Sequence, residues 1–105
     1  MSLKLATKQK TIKIVVIEDN RLTRLSLKSA LNEYEDISVI GDTEDTITGQ
    51  MMVKEIEPDI VLIDLGLSDG NGIEAISKIR ARNKSVKIIA LTSHSNNQEV
   101  LNALI

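Results

Sequence analysis

The stretch from Ile60 to Gly72, "IVLIDLGLSDGNG", decides how this chain folds. Ile60 to Ile63 are all aliphatic and do not alternate with polar residues, so they read as a strand buried on both faces. Asp64 then stands where burial would be expected to continue. An ionised carboxylate at the end of a buried strand costs free energy unless something compensates it. The glycine-rich remainder reads as a loop that enters a helix, in which Ile73, Ile76 and Ile79 fall on one stripe.

The same strand-then-helix pattern recurs on either side. "IKIVVI", Ile12 to Ile17, is a β-branched apolar run followed by the acidic turn "EDN" and by a helix from Arg21 to Glu33, with Leu22, Leu25 and Leu31 at helical spacing. "ISVIGD", residues 37–42, is a second strand. Residues 43–57 then form a helix expected to bury Ile47, Met51, Met52 and Ile56, with Pro58 closing it. "VKIIALT", residues 86–92, is a fourth strand, and "NNQEVLNALI", residues 96–105, opens a fourth helix. Continuous apolar strands alternating with amphipathic helices indicate an α/β fold with a parallel sheet covered on both faces and right-handed crossovers. A chain of 105 residues suits one domain, with residues 1–11 as a polar lead-in and 12–105 as the folded unit.

Composition narrows the function. Hydrophobic residues at 42% and charged residues at 27% are the mix of an ordinary globular protein. Tyr34 is the only aromatic, so stacking on bases is not available, and a net charge of −2 supplies no field to attract nucleic acid. The absence of cysteine excludes disulfides and thiolate chemistry and suits a reducing cytoplasm. No apolar run has the length of a signal peptide or a membrane span.

In an open α/β sheet, ligands bind beyond the carboxyl ends of the strands. Glu18 and Asp19 follow the first strand, Asp64 ends the third, and Thr92 and Ser93 end the fourth. If the first strand lies beside the third, the three carboxylates converge. Close carboxylates raise one another's pKa, and a divalent cation offsets the repulsion. With oxygen ligands only, Mg²⁺ is the expected ion. Asp64 is the candidate nucleophile, able to attack a phosphoryl group and form an acyl phosphate, with the Thr92 hydroxyl bonding a phosphoryl oxygen and the small Ser93 leaving room.

Plainer readings exist for each residue alone. Asp19 or Asn20 could simply cap the first helix. "GNGIEA", residues 70–75, formally fits a dinucleotide-binding pattern, but it begins several residues after the strand ends, and no acid ends the fourth strand to hold a ribose. A haloacid-dehalogenase-like phosphatase would need a second acid where Gly66 stands. A flavodoxin-like cofactor module would want a Ser/Thr-rich loop where "EDNRLTR" is acidic. The joint pattern of acids at one sheet edge carries the specificity.

"VVIEDN", "IVLIDLGLSDGNGIEAI" and "IIALTSHS" together resemble the receiver domains of bacterial two-component response regulators, over a span from about Lys13 to the last residue. The resemblance implies a flavodoxin-like doubly wound sheet of order 2-1-3-4-5, of which the fifth strand and fifth helix are absent from this sequence. It implies Asp64 as phosphoacceptor and Asp19 as a direct Mg²⁺ ligand. Glu18 is then the companion acid, Gly66 offers a backbone carbonyl to the metal, and Thr92 follows the phosphoryl group. His94, two positions beyond Thr92, is expected to tune dephosphorylation by positioning or excluding water.

Three departures from the family pattern stand out: Ser68 in place of a proline, Glu18 in place of the commoner aspartate, and no fifth-strand lysine. The implied partners are a sensor histidine kinase and an output domain or partner chain, without direct nucleic-acid or membrane binding by this segment. Details of the third and fourth segments are most similar to receivers joined to a LuxR-type helix-turn-helix, which implies transcription regulation. An incomplete receiver is also expected to associate through the helix-four face or the open edge of strand four. The alternative is a receiver-like interaction module that is never phosphorylated.

Overall fold

The computed structural model describes residues 10–66 and 71–92. Ser68, Gly70, Ser93, His94 and the expected fourth helix lie outside them. The elements alternate as expected: β1 (Ile12–Ile17), α1 (Arg21–Asn32), β2 (Ile37–Thr43), α2 (Thr46–Ile56), β3 (Ile60–Asp64), α3 (Gly72–Arg82) and β4 (Lys87–Leu91). The strands form a parallel sheet in the order β2-β1-β3-β4. The two central strands, β1 and β3, carry Glu18, Asp19 and Asp64 at their carboxyl ends. Among the described residues, no helix is long and apolar enough to cross a membrane.

Period-two alternation sorts the strand side chains onto the two faces. Val15, Ile17, Val61 and Ile63 are fully buried under α2 and α3, against Val53, Ala75, Ile76 and Ile79. Ile14, Val16, Val39 and Leu62 fill the other face, against Leu27 and Leu31 of α1. Each such side chain contributes roughly 1.5–3 kcal/mol when fully buried.

Two helix faces differ from the expected stripes. In α1 the side chains that reach the core are Leu27 and Leu31, while Leu22 and Leu25 are 76% and 46% exposed. In α2 the buried residues are Thr46, Gly49 and Val53; of the expected stripe, Met52 and Ile56 pack partly buried against the same core, whereas Ile47 and Met51 are 71% and 59% exposed. The reason is proximity. α2 lies so close to β1 that a Cβ on Gly49 would stand 2.7 Å from Ile17 Cγ1, which leaves room for small side chains along that stripe. Glu57, in the left-handed conformation at φ 52°, ends α2 before Pro58 is reached.

The turns are held by side chains. Asp59 accepts from the Lys13 N–H at 2.8 Å and returns its own N–H to the Lys13 carbonyl at 2.9 Å, while its carbonyl takes the Lys87 N–H at 3.0 Å. It thereby joins β1 and β4 at the sheet edge opposite the acids. Asn83 Oδ1 accepts from the N–H groups of Ser85 and Val86 and shapes the α3–β4 turn.

The β1–β2 pairing carries one irregularity. Ile14 lies opposite Val39, but Val15 lies opposite Gly41, so Ile40 is an extra residue in β2. Beyond it the alternation of β2 is reset. Asp42 comes opposite Val16, on the α1 face, instead of opposite Ile17, on the face under α2 and α3.

Candidate metal centre

Parallel register brings the acids together. β1 pairs with β3 from Ile14–Ile60 to Ile17–Ile63, so the residue after Ile17 and the residue after Ile63 leave the sheet side by side. Those residues are Glu18 and Asp64. Glu18, Asp19 and Asp64 each present a carboxylate oxygen, and these oxygens lie within 4.8 Å of one another. Glu18 is 5% exposed, and Asp19 and Asp64 are half-buried.

Each acid is anchored locally. Asp64 Oδ1 accepts from the Gly66 N–H at 2.8 Å, and Glu18 Oε2 accepts from the Asn20 N–H at 3.1 Å. Helix capping belongs to Asn20, whose Oδ1 takes the Thr23 N–H at 2.9 Å, so capping does not account for Asp19. Gly72 permits the close approach of α3. A Cβ there would stand 3.1 Å from both the Asp64 carbonyl oxygen and Leu65 Cα.

Electrostatics follow from this crowding. Burial pushes the Glu18 carboxyl above its ordinary value, the Asn20 N–H opposes the shift, and the neighbouring Asp64 and Asp19 carboxyls add to it. A cluster of this kind is relieved by a cation. The donor set is oxygen only, small in extent and anionic, which fits a hard divalent ion of the Mg²⁺ class.

Thr92 follows Leu91, which pairs with Asp64, so its place at the same sheet edge is as expected. Gly66 reaches Asp64 through its N–H. The sequence reading missed a group on the other side of the acidic turn. Arg24 Nη1 donates to the Glu18 carbonyl at 2.8 Å and Arg24 Nε to Asp42 Oδ2 at 3.2 Å, while Lys28 Nζ donates to Asp42 Oδ1 at 3.2 Å. The available signal was Arg24 and Lys28, spaced i, i+4 on one helix, with an acid near the end of the neighbouring strand.

Comparison with known proteins agrees with this geometry. The family profile described as the response regulator receiver domain matches residues 14–105. Over 93 residues the chain is 32% identical to the response regulator protein VraR of Staphylococcus epidermidis, which covers 89% of this chain and 44% of that protein. The chain thus spans less than half the length of the curated relatives it matches. A LuxR-family two-component response regulator from Aurantimonas sp. SI85-9A1 superposes with a TM-score of 0.83 at 26% identity, over 90% of this chain and 67% of that one. The signal receiver domain of NarL from Mycobacterium tuberculosis has the same fold, with a TM-score of 0.82 at 22% identity over 90% and 77% of the two chains.

Proposed function

The chain belongs to the response regulator receiver domain family, and from this premise we propose that Asp64 accepts a phosphoryl group from a sensor histidine kinase. The observation that carries the proposal is the convergence of Glu18, Asp19 and Asp64 at the ends of the two central strands. An Asp64 carboxylate oxygen attacks phosphorus, the bond from phosphorus to the kinase imidazole nitrogen breaks, and an aspartyl phosphate forms. The Gly66 N–H holds Asp64 Oδ1 and orients the carboxylate for that attack.

Glu18, Asp19, Asp64 and the Gly66 backbone carbonyl would hold Mg²⁺, which when bound supplies positive charge to the phosphoryl oxygens. Thr92 donates its hydroxyl to a phosphoryl oxygen, Ser93 leaves space beside it, and His94 sets the access of water and hence the lifetime of the aspartyl phosphate. Phosphorylation shifts a two-state equilibrium around β4 and the segment after it, altering contacts with an output domain or partner chain in a cytoplasmic transcription regulator. Residues 12–105 form the receiver unit of that protein.

Intact-mass spectrometry with acetyl phosphate tests the reading. One phosphoryl group should be gained in the presence of Mg²⁺, none with a chelator, and none in Asp64→Asn. A wild-type chain that gains nothing, while a longer chain from the same protein also gains nothing, would leave an interaction module that is not phosphorylated.

A further inference from the structure

The acidic turn is held in place by the end of β2. The Glu18 N–H donates to the Thr43 carbonyl at 2.9 Å. Its own carbonyl accepts from Arg24 Nη1 at 2.8 Å, and Arg24 is in turn fixed by Asp42, the residue before Thr43. Both peptide groups flanking Glu18 are therefore tied to two adjacent residues of one neighbouring strand.

We propose that Arg24, held by Asp42, is a positioning residue for the cation: it fixes the backbone of Glu18 and so sets the affinity of the carboxylate cluster for Mg²⁺. The inference rests on the reading of Glu18, Asp19 and Asp64 as the cation site.

Three features make the tie stiff. The Arg24 and Asp42 side chains are only 15% and 22% exposed, so their charge-assisted bond is partly shielded from water. Arg24 is planar and forked, and it uses two different nitrogens for its two partners. Its own N–H donates to the Asn20 carbonyl at 2.9 Å, which places it in the first turn of α1, beside the acids it steadies.

The bulge absorbs the extra residue Ile40 and so keeps Asp42 facing α1, where the tie forms. Lys28 occupies the second oxygen of Asp42 but does not touch Glu18, and it is more exposed, at 43%. A group that only strengthened the packing of α1 on β2 would affect stability alone. One that fixes a ligand's backbone also affects how well the ligands meet the ion.

Calorimetric titration of the folded chain with Mg²⁺ distinguishes these roles. Arg24→Gln and Asp42→Asn should each weaken binding about tenfold, the lower end of the range for groups that support metal ligands. The double variant should be no weaker than either single one, because both remove the same tie. Lys28→Gln should bind within about twofold of wild type, since the hold on Glu18 survives.

Asp42→Asn leaves the arginine charge in place, so it separates position from charge. It also serves alone if Arg24→Gln does not fold. Wild-type affinity in Asp42→Asn and in any folded Arg24→Gln would overturn the inference while leaving the cation site standing. A wild-type chain that does not bind Mg²⁺ would instead overturn the site reading and this inference with it.

Discussion

The backbone N–H of Gly66 meets Oδ1 of Asp64 across 2.8 Å, so a residue two positions downstream orients the carboxylate that ends β3. That bond uses main chain, and it should survive a side chain at Gly66. A Cβ there would stand 3.4 Å from Asp64 Oδ1, an ordinary contact. Gly66→Ala should therefore fold and bind Mg²⁺ within about threefold of wild type, a change under ~1 kcal/mol. Gly72→Ala should behave differently, because its Cβ would press on main-chain atoms of Asp64 and Leu65. A loss of about 1–3 kcal/mol in urea unfolding is expected, together with slower phosphorylation of Asp64. Equal stability of the two variants would show that α3 can shift to relieve the contact.

Glu18 supplies a pH dependence whose sign can be stated. Its carboxyl holds its proton to higher pH in the folded chain than the ordinary 4.5, with burial as the main cause. The stability contribution is therefore fully present below that ordinary value and is lost as pH rises through the folded one. In chelator, Glu18→Gln should be the more stable protein at pH 7, and its advantage should shrink as the pH falls toward 4.5. Added Mg²⁺ should raise the wild-type melting temperature more than that of the variant. Thermal unfolding across this range, with and without Mg²⁺, makes the comparison, and a pH-independent difference would contradict it.

Asn20 starts α1 by accepting the Thr23 N–H at 2.9 Å. Asn20→Ala should cost about 1 kcal/mol of stability, and Asn20→Ser, which keeps an accepting oxygen, only a few tenths. Chemical denaturation of the pair reads this directly. Matching losses in both would mean that the side chain serves some purpose other than the cap.

The two sides of α2 should respond unequally to truncation. Val53 is buried and Ile47 is exposed to solvent. Val53→Ala should lose roughly 2 kcal/mol, and Ile47→Ala should stay within about 0.5 kcal/mol of wild type. Urea midpoints at constant slope would measure both. A large loss at Ile47 would restore the stripe that hydrophobic spacing first indicated.

The sheet was legible because its strands are uninterrupted aliphatic runs that end in acids, and the register of a parallel sheet aligns those ends without further help. Glu18, Asp19 and Asp64 could therefore be brought together from sequence, as could the place of Thr92. The helix faces were harder to read. α1 carries leucines around much of its circumference, and the inward stripe of α2 includes a threonine and a glycine that no count of apolar residues would select. Arg24 and Asp42 were missed for a related reason. Their meeting depends on a change of face within β2, which leaves no mark in composition or in helical spacing.

Ile40 also bears on how this gene can change in length. The strand before it and the strand after it are out of phase by one residue. Loss of the Ile40 codon would make β2 a regular strand and leave Gly41, Asp42 and Thr43 opposite Val15, Val16 and Ile17 as they are now, so Asp42 would still face α1. Among related genes that keep an arginine at position 24 and an acid to meet it, single-residue gaps should therefore be found at the place of Ile40, as they should in the α3–β4 turn. The bulge is a spare letter in the strand: the acidic turn depends on the register that follows it, and the letter itself can be dropped.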